Sequence, residues 1–259
     1  MKSIVLNSFK RLKHYPAREE AVRVPGFQER CDNQNQANRE QWLKSVLAAF
    51  PTGHRILDAG AGELQYKHFC AHLNYVSQDF AQYDGQGDRL GLQVGKWDAN
   101  QVDIVSDITS IPEPDNAYDA VMCVEVLEHL PYPVEALREL TRVLKPGGKL
   151  ILTAPFCSLT HFSPYFYQSG YSRYFYEYWL GQFGYNILDM QFNGNYFEWS
   201  AQELRRLPQV SQQYAHVRPS ALERICMRIT LGFLARASKS NSGSEQLLCF
   251  GLHILAEKR

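Results

Sequence analysis

Short apolar runs alternate along the chain with segments whose apolar residues recur at helical spacing. The runs predict seven strands, over residues 56–57, 75–78, 102–106, 119–123, 149–154, 185–190 and 247–255. Helical spacing and capping-box sequences predict helices over 38–50, 64–73 and 134–144, a helix ending at Phe183, and helices opening at 200–203 and 220–223. Strands that alternate with helices are typical of a single α/β domain, which we place at residues 38–259.

Residues 1–37 lack this periodicity, and we interpret them as an irregular N-terminal arm. The apolar run that begins the chain ends at Leu6 and is followed by polar and basic residues. It is too short to export the chain or to cross a membrane. Residues 2–13 are therefore interpreted as a solvated arm or as a small amphipathic contact with a membrane surface, without stable membrane insertion.

Charge is balanced, with 27 basic and 27 acidic residues and no extended run of Lys or Arg. We therefore expect no nucleic-acid partner, because such partners are held by a basic face. The six cysteines show neither a Cys-x-x-Cys pair nor a Cys/His ligand spacing. This pattern is typical of free thiols in a reducing compartment, so we expect a cytoplasmic protein with no metal site. The sequence leaves open whether the chain forms a homo-oligomer.

The sequence Arg-Ile-Leu-Asp-Ala-Gly-Ala-Gly at residues 55–62 indicates a ligand site. Gly60 and Gly62 follow the first strand and allow backbone angles barred to other residues, so a cofactor can lie against the main chain. Asp79 ends the second strand about 20 residues further on, where a carboxylate can accept both hydroxyls of a ribose. These features predict a nucleoside ligand.

Neighbouring residues distinguish between two kinds of nucleoside. A dinucleotide motif of the form Gly-x-Gly-x-x-Gly needs Gly or Ala at position 65, where this chain has Gln65. Asp58 and Glu63 surround the glycine turn with negative charge, which a pyrophosphate avoids and a sulfonium or ammonium group favours. A cationic nucleoside therefore fits better than NAD, and an oxidoreductase is the weaker alternative.

Five motifs in order resemble those of the class I S-adenosylmethionine-dependent methyltransferases. They are the glycine turn at 58–62, Gln78-Asp79, the segment 105–108, Val-Glu-Val-Leu-Glu-His at 124–129 and Leu-Lys-Pro-Gly-Gly at 144–148. The resemblance covers residues 54–156. It implies a Rossmann-like α/β fold, with a mostly parallel seven-stranded sheet, an antiparallel last strand and helices on both faces. Many members of the family have a third glycine where this chain has Leu64.

The resemblance also implies that S-adenosyl-L-methionine is the cofactor, and it implies which residues hold it. Asp107 is expected to accept a hydrogen bond from the adenine amine while the Ile108 amide donates to a ring nitrogen. The alternative for Asp107 is a cap on the turn that follows. The expected cofactor-binding residues are Asp58, Gly60, Gly62, Asp79, Asp107, Ile108, Cys123 and Glu125.

Two histidines are candidate general bases, because imidazole titrates near neutral pH. His129 belongs to the fourth motif, where shaping the pocket is the alternative interpretation. His161 lies in the segment 156–199, which holds 17 of the chain's 33 aromatic residues and which we interpret as a substrate pocket or lid. A lid packed by its own aromatic residues is the alternative.

Two parts of the aromatic segment resemble methyltransferases of bacterial polysaccharide and glycan biosynthesis. They are His-x-x-Pro at 161–164 and Arg-Tyr-Phe at 173–175. We expect Arg173 to pair with a carboxylate or phosphate of the substrate, and Tyr171 and Tyr174 to contact the substrate. The sequence thus predicts methyl transfer to a small molecule, with a sugar hydroxyl as the expected acceptor. The alternatives are a quinone-like or other carbon, nitrogen or oxygen acceptor, or a scaffold that binds the cofactor without catalysis.

Overall fold

The computed structural model describes residues 33–259 and contains a seven-stranded sheet. The sheet order is β3-β2-β1-β4-β5-β7-β6, in which β1 to β5 are parallel and β7 is antiparallel to both β5 and β6. This arrangement confirms the predicted fold class. The strands are β1 (Arg55–Ala59), β2 (Asn74–Asp79), β3 (Ile104–Val105), β4 (Tyr118–Val124), β5 (Leu144–Pro155), β6 (Tyr185–Asn193) and β7 (Gly251–Lys258).

Among residues 33–259, five α-helices pack around the sheet or extend beyond it. They are α1 (Asn33–Ala48), α2 (Pro133–Val143), α3 (Arg173–Gln182), α4 (Tyr196–Ala215) and α5 (Ala221–Lys239). Short 3-10 helices occur at Lys67–Cys70, Leu127–His129 and Ser244–Gln246. No helix among residues 33–259 is long and apolar enough to cross a bilayer.

The core lies in two layers because successive side chains of a strand point to opposite faces of the sheet. On β1, Leu57 packs in the layer that holds buried residues of α2 and α3, such as Leu137 and Leu180. The adjacent Ile56 packs in the opposite layer, with Leu43 of α1. Helices therefore cover both faces of the sheet, as the resemblance implied.

Several element boundaries differ from the prediction. The predicted arm and its membrane contact lie outside the described residues, except that α1 begins at Asn33 and so includes residues 33–37. The predicted helix over 64–73 is wrong: turns and a short 3-10 helix occupy this stretch, and Leu64 has a φ of +60°, which α-helix excludes. Helix α4 starts before Ser200, because the Asn195 side chain accepts the backbone N–H groups of Phe197 and Glu198. The capping box at Ser220 is confirmed.

Candidate functional site

A cavity of about 1120 Å³ opens at the carboxyl ends of β1, β2, β3 and β4. This is the edge at which open α/β sheets hold their ligands. Helix α1 contributes Asn35, Gln36 and Arg39 to its wall, and α4 contributes Gln202, Glu203 and Arg206. Of the residues that the sequence singled out, the cavity wall includes Asp58, Gly60, Gly62, Asp79, Asp107, Ile108, Glu125, His129 and His161.

The glycine turn at the end of β1 has the conformation that its sequence predicts. Gly60 and Gly62 have φ values of +80° and +50°, in the left-handed region that favours glycine. A Cβ at Gly60 would lie 2.4 Å from Cγ2 of Val126, and one at Gly62 would lie 2.3 Å from Cζ2 of Trp97. Because Gly60 and Gly62 have no side chain, the side chains of Val126 and Trp97 can occupy this space. Both also line the cavity.

Asp58 is a buried carboxylic acid at the start of this turn. Its Oδ2 accepts a hydrogen bond of 2.6 Å from the Tyr75 hydroxyl. Burial raises the pKa of Asp58 to about 7, the Tyr75 hydrogen bond opposes that rise, and the nearby carboxylate of Asp79 adds to it. Asp58 is thus poised to ionise near neutral pH when a cation lies close to it.

Asp79 and Asp107 reach the same cavity from the ends of β2 and β3. Asp79 Oδ2 accepts the backbone N–H of Gly62 at 2.9 Å, and its Oδ1 accepts that of Ala81 at 2.8 Å. Each oxygen keeps a second lone pair, so Asp79 can still accept a ligand hydroxyl. Asp107 is exposed, and its Oδ1 accepts both the N–H and the hydroxyl of Thr109 at 2.8 Å. The turn cap foreseen for Asp107 is therefore present, and Oδ2 still extends beyond it.

Glu125 follows β4 and is held in an unusual backbone conformation. Its φ is +56°, a strained value for a residue other than glycine. The Glu125 N–H donates to the Thr153 carbonyl at 2.9 Å, and the Thr153 hydroxyl donates to Glu125 Oε1 at 2.8 Å. On the other side, Nη1 of Arg39 lies 3.0 Å from Glu125 Oε2. These partners fix the carboxylate at the cavity wall.

Cys123 does not reach the cavity, in contrast to its predicted contact with the cofactor. It is a fully buried member of the core layer that contains α2. Burial raises the pKa of its thiol above the usual range, and the carboxylates of Glu128 and Asp58 add to the effect. The wall of the cavity begins one residue later, at Val124.

Glu128, His129 and His161 form a compact polar cluster in the cavity wall. Glu128 Oε1 lies 3.7 Å from Nε2 of His129 and 3.9 Å from Nε2 of His161. His129 Nδ1 lies 2.6 Å from the Tyr165 carbonyl, and His161 Nδ1 lies 2.9 Å from the Leu159 carbonyl. Burial, and to a smaller extent His161, lower the pKa of His129 to about 3, so His129 is neutral at neutral pH.

Two segments cover the cavity, and we call residues 83–97 and 157–167 the aromatic cover. Leu92 pairs with His161 as a parallel bridge, and the Ser163 hydroxyl donates to Asp88 Oδ1 at 2.6 Å. The rings of Tyr83 and Phe162 stack with centroids 4.5 Å apart. Residues 157–167, part of the segment interpreted as a substrate pocket or lid, thus form one half of the aromatic cover, and the glycine-containing loop after β2 forms the other half.

The structure does not bring the three predicted substrate residues to the cavity. Tyr171 is buried, and its hydroxyl donates to the Leu127 carbonyl at 2.7 Å. Arg173 is on α3, where its guanidinium pairs with Glu177 one turn further along the same helix. Tyr174 is 70% exposed on that helix. Tyr171 therefore packs in the core, while Arg173 and Tyr174 lie on the outer surface of α3.

Three residues of the site were missed from sequence. Arg39 is one of them. Burial lowers the pKa of Arg39, but the Glu125 carboxylate outweighs this effect and raises the pKa above its usual value. Arg39 extends the stripe formed by Trp42, Leu43 and Val46 by one turn, a signal that could have placed it on the buried face of α1. Glu128 and Trp97 carried no comparable signal, because their positions depend on the distant aromatic cover.

Several independent features of the cavity suit S-adenosylmethionine. Asp79 can accept ribose hydroxyls, and Asp107 stands at the next strand end for the adenine amine. Asp58 offers an ionisable carboxyl to a cation, and Arg39 offers a guanidinium to a carboxylate. The volume of about 1120 Å³ exceeds that of an ordinary small-molecule site, so a small acceptor fits beside the cofactor. Fold and site together resemble those of the class I S-adenosylmethionine-dependent methyltransferases.

Comparison with known proteins gives the same class. Residues 57–152 match the model of the family described as methyltransferase domain. The chain is 34% identical over 148 residues to demethylmenaquinone methyltransferase of Renibacterium salmoninarum, covering 55% of this chain and 58% of that protein. It is 36% identical over 104 residues to ubiquinone biosynthesis O-methyltransferase of Xanthomonas oryzae pv. oryzae, covering 39% of this chain and 43% of that protein. The chain thus spans about half the length of these relatives.

The fold is also that of solved methyltransferase structures. A crystal structure of a methyltransferase dependent on S-adenosylmethionine, from Archaeoglobus fulgidus, superposes with a TM-score of 0.53 at 14% identity. The superposition covers 90% of this chain and 98% of the other. At that identity the likeness concerns the fold alone.

Proposed function

We propose that this protein transfers the methyl group of S-adenosylmethionine to a hydroxyl oxygen of a planar small molecule. The observation that carries the proposal is that one cavity is lined by the nucleoside-binding aspartates, by an aromatic wall and by two histidines. The cofactor, when bound, supplies a methyl group on a positively charged sulfur that leaves as a neutral thioether.

The residues of β1 to β4 bind and orient the cofactor in this proposal. Asp79 accepts the ribose hydroxyls, and Asp107 and the Ile108 amide contact adenine. Asp58 and Glu125 lie beside the positive charges of the methionine part, and Arg39 pairs with its carboxylate. Arg39 is already fixed by Glu125, so little side-chain entropy is lost on binding.

The acceptor lies against the aromatic cover. Phe80, Tyr83, Phe162 and Tyr165 form a connected set of stacked and edge-to-face rings at the wall. Such a wall suits a planar ring, because offset and edge-to-face contacts between rings are favourable. The named activities of the two curated relatives, on quinone-type compounds, support the same acceptor class.

A sugar hydroxyl, which the sequence predicted as the acceptor, has less support. That prediction drew on the Arg-Tyr-Phe segment, but Arg173 pairs with Glu177 and does not line the cavity. His161, from the His-x-x-Pro segment, does line it. We therefore place the aromatic hydroxyl first and keep the sugar as a competing acceptor in the test.

The imidazoles of His129 and His161 line the cavity beside the aromatic wall. In each, Nδ1 lies within hydrogen-bond distance of a backbone carbonyl, so Nδ1 carries a proton. Burial lowers the pKa of His129 to about 3, so its Nε2 keeps a lone pair that can accept the proton of a hydroxyl. His161 Nε2 is the second candidate base in this proposal.

We also propose that residues 38–259 act as one methyltransferase domain and that segment 156–199 contributes its acceptor wall. The cytoplasmic location stays a prediction from sequence, and the sequence leaves the oligomeric state open.

The test is a methylation assay with the purified chain. The protein is incubated with S-adenosylmethionine and, separately, with 1,2-dihydroxybenzene, a simple phenol and a hexose, and release of S-adenosylhomocysteine and methylated product is followed by mass spectrometry. We expect product from an aromatic hydroxyl and none from the sugar. Product from the hexose alone would contradict the acceptor class. Cofactor binding without product from any of the three acceptors would favour a non-catalytic scaffold.

A further inference from the structure

Glu128 is a buried carboxylate with an unusual lack of partners. Its side chain is 1% exposed, and neither side-chain oxygen has a hydrogen-bond partner among residues 33–259. A buried carboxyl group without hydrogen bonds is costly, and a cation between its oxygens and the two imidazoles would offset that cost. The Nε2 atoms of His129 and His161 lie 3.7 and 3.9 Å from Glu128 Oε1, which is too far for direct hydrogen bonds.

Both histidines are oriented by the backbone toward this carboxylate. His129 Nδ1 is anchored on the Tyr165 carbonyl and His161 Nδ1 on the Leu159 carbonyl. Since a carbonyl only accepts, Nδ1 carries a proton in each ring, and Nε2 is the atom that lies near Glu128 Oε1. Histidines that ligate metals show this arrangement, in which the other ring nitrogen donates to a carbonyl or carboxylate and fixes the ring.

The three side chains come from positions that the fold holds in place. Glu128 and His129 lie in the short 3-10 helix after β4. The cover is tied to this helix, because the N–H groups of Tyr167 and Gln168 both donate to the Glu128 carbonyl. His161, six residues before Tyr167, also pairs with Leu92 in the other half of the cover.

The separations suit a metal ion. The candidate ligand atoms of Glu128, His129 and His161 all lie within 4.8 Å of one another. Two ligands on a tetrahedral zinc ion with bonds of about 2.0 Å are about 3.3 Å apart. The observed 3.7 and 3.9 Å therefore need shifts of less than about 1 Å, which side-chain rotation supplies.

We propose that Glu128, His129 and His161 form a binding site for a divalent transition metal, of the zinc type, in the wall of the cavity. Two imidazoles and one carboxylate are a donor set that zinc accepts in catalytic sites, where further positions stay open for water or substrate. All three side chains line the cavity, so the open positions face it. The sequence predicted no metal site because of its cysteine spacing, which does not involve Glu128, His129 or His161.

The consequence for the reaction rests on the proposed function. A metal held by these three residues would lower the pKa of an acceptor hydroxyl. The hydroxyl proton would pass to water in the open cavity, the acceptor oxygen would form its bond to the methyl carbon, and the bond between that carbon and sulfur would break. The two histidines then serve as ligands, and no histidine needs to carry the proton.

Metal binding is tested without any turnover. The purified full chain is stripped with a chelator, dialysed and titrated with Zn²⁺ by calorimetry, and with Co²⁺ by visible absorption, which reports the ligand field directly. We expect one Zn²⁺ per chain. We expect at least tenfold weaker binding, and loss of the Co²⁺ absorption, in Glu128→Gln, His129→Gln and His161→Gln.

His68→Gln is the matched control, because His68 also has Nδ1 near a backbone carbonyl, that of Gln65, but lies outside the cavity. It should bind Zn²⁺ within twofold of the unaltered chain. Melting curves of the metal-free variants show whether each one folds. Equal binding in the three ligand variants and the unaltered chain, or no binding to the unaltered chain, would overturn the proposal.

The two proposals fail in different ways. Zinc binding without methyl transfer from S-adenosylmethionine supports the metal site and contradicts the methyltransferase function. Methyl transfer at an unchanged rate in metal-stripped protein supports the function and overturns the part of the metal in activating the acceptor.

Discussion

Arg39 and Glu125 form an ion pair of 3.0 Å that joins helix α1 to the end of β4. The Arg39 side chain is 12% exposed, and the pair borders the cavity. Arg39 Nε also lies 3.2 Å from the Tyr66 hydroxyl. One guanidinium thus connects α1, the glycine-turn region and the strained residue after β4.

Arg39→Met is expected to lower the free energy of unfolding by about 2–3 kcal/mol, because removing one member of a largely buried pair leaves an uncompensated charge. Urea denaturation measures the change. Arg138→Met is the matched control, since Arg138 pairs with Glu135 on the exposed surface of α2 at 3.1 Å. Its loss is expected to cost about 0.5 kcal/mol or less. Equal effects of the two substitutions would show that the Arg39 pair is not structural.

Gly62→Ala is expected to lower the free energy of unfolding by about 2 kcal/mol or more and to weaken S-adenosylmethionine binding at least tenfold. The new Cβ would lie 2.3 Å from Trp97 and would have a φ of +50°. Gly53→Ala is the control, since Gly53 also has a positive φ, of +84°, but a Cβ there meets no atom within 4 Å. Gly53→Ala measures backbone strain alone, so a similar loss in both variants would exclude the Trp97 contact as a cause.

Particular residues show which parts of the fold could be predicted from the sequence and which could not. The strand positions followed from apolar runs, because burial between two helix layers requires such runs wherever a parallel strand lies. The starts of helices were harder to predict than the strands. Ser200 and Asn195 are both residue types that cap helices, and in the structure Asn195 caps α4. The predicted helix after the glycine turn failed because Leu64 adopts a left-handed conformation.

The residues of the candidate site were also predictable only in part. Asp58, Asp79 and Asp107 were predictable because local motifs place them at consecutive strand ends. The expected contacts of Arg173 and Tyr174 were not supported, since α3 turns both side chains away from the cavity. Glu128 was passed over, because a residue that lies beside it, His161, is more than thirty residues further along the chain.

The buried carboxyl of Asp58 predicts a pH dependence of cofactor binding. Its pKa of about 7 in the folded protein lies above the usual value of 3.8, so below pH 7 it is protonated in the free protein. A cation favours the ionised form, and binding below pH 7 must therefore release a proton. The affinity for S-adenosylmethionine is expected to rise roughly tenfold from pH 5.5 to pH 7.5. Calorimetry in buffers of different ionisation enthalpy measures both the affinity and the proton released.

Asp58→Asn is expected to flatten this pH dependence, because the amide does not titrate. Asp84→Asn serves as a control at an exposed carboxylate outside the cavity, and it should leave the slope unchanged. A slope that persists in Asp58→Asn would assign the proton to another group. The same shift has a consequence for folding: a carboxyl with a raised folded pKa makes the free energy of unfolding fall as pH rises from about 4 to 7.

Phe162 should control the acceptor more than the cofactor. Its ring stacks on Tyr83 at 4.5 Å and lies 5.1 Å from the His129 ring, so Phe162→Ala opens the cover beside the polar cluster. We expect kcat/KM for an aromatic acceptor to fall about 10- to 100-fold, which corresponds to about 1.4–2.7 kcal/mol of transition-state stabilisation. The Kd of S-adenosylmethionine should change less than threefold, since the cofactor is held by the strand ends. Tyr174→Ala removes an exposed aromatic ring on α3 and should leave both constants unchanged; if Tyr174→Ala lowered kcat/KM as much as Phe162→Ala, the acceptor would have to lie outside the cavity, on the surface of α3.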